Sequence, residues 1–150
     1  FIVRWPAKIK PGTSKALVNQ VDLLASFAHL LGVELAPGQA RDSRNILPAL
    51  TGKDPVGLPF MVEEAKGLAL RRGAWKYIAP KMEKKKVVGK GELYNLDSDV
   101  GEQKNIVAQF PEIAQSMATQ LNKIISDGGI RSKLPQALIQ ANKSSRRKKK

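Results

Sequence analysis

The sequence predicts an α/β chain whose C-terminal part is α+β, a small antiparallel sheet packed on one C-terminal helix. Three observations predict it. The chain opens on FIVRWP, a β-branched apolar run that reads as a buried strand. Between Phe60 and Leu96, FMVEEA, LALRRGAWKYIAP and VVGKGELYNL give short apolar runs separated by turn residues, the pattern of antiparallel strands. Then PEIAQSMATQLNKIISDGG carries one apolar stripe at helical spacing, and such a helix needs a surface to cover, which the preceding sheet supplies.

Each element follows in order. After the opening strand, AKIKPGT is a loop punctuated by Pro11 and Gly12. Asn19 is placed to cap a helix, with Asp22 three residues on and favourable against the helix dipole. Val21, Leu24, Ala25, Ala28 and Leu31 share one face of it and Leu23, Phe27 and Leu30 a second, so the helix is expected to be covered on two sides, and Gly32 ends it. The lone histidine, His29, has no His, Cys or acid three or four residues away, so it reads as structural rather than as a metal ligand or general base.

APGQARDSRNILPALTGKDPVGLP is broken by repeated Pro and Gly and marks a boundary. Beyond it the strand runs begin, two of them hinged at Arg72 and Gly73. In the last helix Pro111 suits the first helical position, Ile113, Met117, Leu121, Ile124 and Ile125 form the stripe, and Gly128 and Gly129 close it.

At 150 residues with 42% hydrophobic content, the chain has enough apolar material for one ordinary domain or parts of two. No run approaches the roughly 20 apolar residues of a membrane-spanning helix. The absence of cysteine excludes disulfides, thiolate metal sites and a thiol nucleophile, and leaves the compartment open. The net charge of +13 gathers in KMEKKKVVGKG and in the closing NKSSRRKKK, where no apolar periodicity supports a fold. The tail at 130–150 is expected to be basic and mostly disordered. It has two readings, a solvated terminus and a polyanion-binding arm, and the second lacks stacking aromatics. Because an apolar strand seldom begins at a free amino terminus, the sequence reads as the later portion of a longer polypeptide.

The stretch GELYNLDSDVGEQKNI, residues 91–106, crowds acids and amides behind a short apolar run. As a calcium loop it fails in detail: Gly101 occupies the fifth position and Glu102 the sixth of DSDVGE, and no acid stands at the twelfth. Asp and Gly there suit a turn at the end of a strand.

The same stretch resembles the LYDLxxDPxExxNL segment of type I sulfatases. GAWKYI after LRR is similar to the R-x-G-x-W-K-Y strand of that family, VDLLASFAHLLGV to its VDLxPTLLxLAGI helix, and DSRNILPALTG to its DGxSLLPLLxG loop. FIVRWPAKIKPGT resembles the strand and loop that open this region, and all five segments keep the family's order and spacing between Phe1 and Ile106. The departures are apolar or small: Val100 stands in place of Pro, Ile106 in place of Leu, and Ala25 and Ser26 in place of Pro and Thr.

The resemblance implies the end of a large alkaline-phosphatase-like α/β catalytic domain over residues 1–52, then a small antiparallel-sheet-plus-helix domain over 58–129. It implies hydrolysis of a sulfate monoester, a sulfated small molecule or polysaccharide as substrate, and a periplasmic or extracellular setting. The family's formylglycine comes from a C/S-x-P-x-R motif and works with a divalent cation, usually calcium; both would lie upstream, since this chain has no cysteine and its serines lack that Pro and Arg. No catalytic or metal-ligating residue is therefore expected here, and the chain alone is expected to be inactive, shaping the cleft beside an upstream catalytic domain. The residues expected to contact substrate are Lys81, Lys84, Lys85, Lys86 and Lys90, against the simpler reading of a solvated hairpin loop. The alternatives are a basic nucleic-acid- or polyanion-binding module, for which no known nucleic-acid-binding pattern appears, and an orphan, non-catalytic sulfatase remnant.

Overall fold

A computed structural model describes residues 1–36, 38–64, 67–83 and 86–130. The opening residues form no strand: Phe1–Trp5 run without a ladder partner into a turn in which Lys8 N and Ile9 N both donate to Trp5 O at 2.8 Å. A strand needs a neighbour for its backbone groups, and among the described residues none pairs with FIVRW. Farther on, Leu17 and Gly57 form an isolated parallel bridge.

Asn19 does cap, accepting from Val21 N at 3.3 Å, but the first turn is a 3₁₀ turn over Gln20–Asp22. It continues into α1, Leu23–Leu30. Only one side of α1 is covered. Ala25, Ser26 and Ala28 are buried, whereas Val21, Leu24, Phe27, Leu30 and Leu31 are exposed, so the expected second covered face is open. A one-turn helix, α2 (Leu47–Leu50), interrupts the stretch that reads as loop, with Pro48 in its first turn, where a missing N–H costs nothing.

The C-terminal part is a four-stranded antiparallel sheet with strands β1 (Met61–Glu64), β2 (Leu68–Arg72), β3 (Trp75–Ile78) and β6 (Glu92–Asn95) in the order β1-β2-β3-β6. Between the last two, β4 (Lys81–Glu83) and β5 (Lys86–Val88) pair as a separate two-stranded ribbon. The basic stretch thus holds strand structure that its lack of apolar periodicity conceals.

Register explains the core. Val62, Leu70, Tyr77 and Leu93 align across the four strands in one row. The last three pack with Ala114, Met117 and Leu121 of α3 (Pro111–Asp127). Leu70, Leu93, Met117 and Leu121 are sealed from solvent, each contributing about 1.5–3 kcal/mol by burial. Pro111 opens α3 and Gly128, at φ +70, ends it in the left-handed conformation glycine favours. Of the expected stripe, Ile125 is exposed and Ala114 takes a place in the core instead.

Candidate functional site

The segment after β6 is a turn, and nearly every polar side chain in it has a structural partner. Asn95 Oδ1 accepts from Asp97 N at 3.0 Å. The Asp99 carboxylate accepts from Gln103 N at 3.0 Å and Lys104 N at 2.8 Å, which holds this carboxyl below the usual range. Asn105 Oδ1 takes the amides of Leu93 (3.1 Å) and Val107 (3.0 Å), and Ile106 N donates to Leu93 O at 2.9 Å. The turn therefore closes the outer edge of β6, where unpaired backbone groups would otherwise invite another strand.

Glu102 returns across the sheet to Lys76 on β3. The Lys76 ammonium lies 2.7 Å from Glu102 Oε1 and 3.2 Å from Glu63 Oε2, on the face turned away from α3. Burial disfavours its charged form, but the hydrogen bonds and charges of the two glutamates outweigh that, and Lys76 is held above its ordinary range. Tyr94, on the same face, donates to Glu92 Oε2 at 2.8 Å; burial first, then the nearby carboxylates, push its pKa up to about 12. Among the described residues, no group of three or more His, Cys, Asp or Glu is arranged to hold a metal ion. These residues do not fit the divalent cation that the resemblance implies.

A second cluster joins α1 to the loop before α2. Asp22, the acid of the first turn, is buried, and its Oδ1 accepts from Arg44 N at 2.6 Å. Desolvation raises its pKa against the opposing pull of Arg44. Ser26 donates to Asp22 O at 2.7 Å and accepts from Ile46 N at 2.9 Å, while Ser43 Oγ accepts from Ala25 N at 2.9 Å. The VDLLAS and DSRNIL segments are thus buckled together by side chain to backbone bonds. Arg44 also carries the link onward: its guanidinium lies 4.5 Å over the Phe60 ring and donates to Phe60 O, just ahead of β1. A cavity of about 390 Å³ at this junction is lined by Asp22, Arg44, Glu63, Leu121 and Ile124.

Lys81 starts β4 and is exposed, and Lys90 is exposed beyond β5. Lys86 starts β5. Lys84 and Lys85 lie outside the described residues, as does the tail beyond Ile130. The residues alone gave Lys76 and Arg44 no role of their own, placed Asp22 against the helix dipole, and weighed Glu102 only as a position in a calcium loop. Lys76 and Glu102 do stand inside the quoted GAWKYI and LYNLDSDVGEQKNI segments, but nothing in one sequence shows that they meet. Among the described residues no helix is long and apolar enough to cross a membrane.

The chain with this helix-backed antiparallel sheet is similar to known proteins. No protein-family model matches the chain. It is 38% identical over 135 residues to an N-acetylgalactosamine-6-O-sulfatase of Bacteroides thetaiotaomicron, covering 83% of this chain and 26% of that protein. It is 40% identical over 55 residues to an ulvan-active sulfatase of Formosa agariphila, covering 36% of this chain and 11% of the relative. A solved structure from work on the metabolism of multiple glycosaminoglycans by Bacteroides thetaiotaomicron superposes with a TM-score of 0.73 at 36% identity, over 82% of this chain and 28% of that one. A more distant structure, solved with its substrate D-glucosamine-2-N,6-O-disulfate, shares the fold at 21% identity and TM-score 0.60, over 81% and 27% of the two chains.

These relationships place the chain in the sulfatase family, of whose members it fits a C-terminal portion. It spans about a quarter or less of the curated relatives it matches. The nucleic-acid reading draws no support from them.

Proposed function

We propose that this chain is the C-terminal portion of a sulfuric ester hydrolase acting on a sulfated saccharide. Residues 1–52 would complete the catalytic α/β domain, and 58–129 would form the small domain that borders the cleft. The observation carrying this reading is the 38% identity with an N-acetylgalactosamine-6-O-sulfatase over 135 residues, supported by the TM-score of 0.73. The nucleophile and cation of the family, a formylglycine and usually calcium, would supply attack on sulfur and neutralise the sulfuryl charge from other segments.

This chain's part is positional. The Lys76–Glu102 pair and the Asn105 bonds fix the sheet, and the basic segment carrying Lys81, Lys84, Lys85, Lys86 and Lys90 would lie near the substrate entrance and attract polyanions. A periplasmic or extracellular setting, where sulfated polysaccharide is met, goes with this reading.

The test is sulfate release from N-acetylgalactosamine 6-sulfate by the longer polypeptide and by this chain alone. Release by the longer polypeptide only supports the reading; no release by either overturns it. For the ribbon, charge reversal at Lys81 and Lys90 is expected to slow turnover of a sulfated polymer at low salt, with the difference fading as salt rises. Unchanged turnover removes the ribbon from the substrate path.

A further inference from the structure

The opening turn, the end of α1 and the end of α2 enclose a cavity of about 260 Å³ away from both clusters described above. Trp5, Lys8, His29, Leu47, Thr51 and Lys53 are among its lining residues. We propose that this cavity is a binding subsite for a sulfated sugar ring, with Trp5 as platform and Lys8 and Lys53 as partners of the sulfate.

Local structure builds the arrangement. Because Lys8 N and Ile9 N both donate to Trp5 O, the chain doubles back and sets Lys8 beside the indole it follows. Lys53 N donates to Pro48 O at 2.8 Å, folding the backbone at Lys53 back onto the end of α2, where Lys53 joins the lining of the cavity. Trp5 is half-buried, so its ring is held while part of it remains accessible, and both lysines are exposed. The Thr51 hydroxyl donates to Leu47 O at 2.9 Å, which leaves its lone pairs free to accept from a sugar hydroxyl.

Charge favours an anion. Among the described residues no carboxylate lines this cavity, in contrast to the junction cavity with Asp22, Asp42, Glu63 and Glu64. The nearest acid in sequence, Asp54, is occupied: its Oδ1 accepts from Val56 N at 2.9 Å and Gly57 N at 3.1 Å. Among the described residues neither Lys8 nor Lys53 forms an ion pair. A ligand for this lining needs an apolar face to lie on the indole and an anionic group for the lysines to pair with; a sulfated pyranose has both. The choice of sulfate over other anions rests on the sulfatase reading, and the site itself does not.

The test is a titration of the full chain followed by NMR at the indole N–H resonances of Trp5 and Trp75, which Trp75→Phe assigns. The probes are N-acetylgalactosamine 6-sulfate, unsulfated N-acetylgalactosamine and N-acetylgalactosamine 6-phosphate. The sulfated sugar is expected to shift the Trp5 resonance saturably, and the unsulfated sugar and the K8E/K53E variant to bind about tenfold or more weakly, the scale set by losing the charge pairing. Both lysines are exposed, so that variant is expected to keep its fold, checked by its far-ultraviolet spectrum. Equal response to sulfated and unsulfated sugar, or binding unchanged in K8E/K53E, overturns the subsite; tighter binding of the phosphate overturns the sulfate assignment. Sulfate release by the longer polypeptide alongside unchanged K8E/K53E binding would reject the subsite and keep the sulfatase reading. Binding lost in K8E/K53E without any sulfate release would do the reverse.

Discussion

Glu102 holds its Oε1 2.7 Å from Lys76 Nζ while its own backbone sits at φ +54, in the left-handed region that non-glycine residues avoid. The pair is largely shielded, with side-chain exposures of 17% for Lys76 and 31% for Glu102. Glu102→Gln is expected to cost about 1–2 kcal/mol, because it leaves Lys76 with Glu63 alone. Glu102→Gly also loses the pair but regains about 1 kcal/mol of backbone strain, so it should destabilise less than Glu102→Ala. Urea midpoints give the order. A glutamine variant as stable as the parent would show that the pair adds nothing.

Alkali should loosen the same face. Lys76, raised above 10.5, contributes stability that is full below that pH and is lost as the pH climbs through its folded pKa. Tyr94, raised from 10.0 to about 12, behaves the same way, losing its contribution between pH 10 and 12. Thermal melting is therefore expected to fall through that window, and less steeply in Tyr94→Phe. An identical alkaline slope in the variant would exclude Tyr94 as a cause.

Asn105 is expected to be sensitive out of proportion to its size. Its single oxygen serves two amides, and Leu93 is completely buried, so Asn105→Ala should cost about 1–3 kcal/mol for the unsatisfied donors. Asn105→Asp keeps the acceptor and should recover most of the loss at neutral pH. Hydrogen exchange at the Leu93 amide reports both: fast in the alanine variant, slow in the aspartate.

Met117 lies at the centre of the helix-to-sheet contact with no exposed surface. Met117→Ala is expected to cost about 2–5 kcal/mol, and Met117→Leu under about 1.5, read by chemical denaturation. A small loss in both would mean that α3 is not seated on the row formed by Leu70, Tyr77 and Leu93.

Gly57 is a backbone constraint rather than a packing site. At φ +74 it faces Leu17, and a Cβ there would run into the Leu17 carbonyl oxygen. Gly57→Ala should break the bridge and the bond from Leu58 N to Leu17 O (2.8 Å), lowering the melting temperature by several degrees. An unchanged melt would show that this bridge is dispensable.

Much of the C-terminal architecture was legible in the sequence, because β2, β3, β6 and α3 combine local propensity with punctuation at Gly73, Pro111 and Gly128. The turn reading of Asp97 to Glu102 holds for the same reason, since an Asx-type cap is local chemistry. The opening run forms no strand because a strand is a property of two chain segments, and no described segment pairs with FIVRW. The second face of α1 was misread likewise: apolar spacing states what a helix is able to bury, not what is present to bury it. The site pairings lie further from reach. Lys76 and Glu102 are 26 residues apart and Asp22 and Arg44 are 22 apart, and no local rule links them.

The end of α3 is tied back to the first half of the chain, with Arg41 Nη2 donating to Asp127 O at 3.4 Å and Ile130 N to Asp42 Oδ1 at 3.2 Å across 88 positions of sequence. Bringing such remote groups together costs loop-closure entropy that neither bond repays alone, so folding is expected to complete this tie only after α1, the sheet and α3 are in place. The same tie should be the first to open in native-state fluctuations. Its state would set when the last helix is committed to the rest of the molecule, which makes Asp42 a kinetic latch as well as a loop residue.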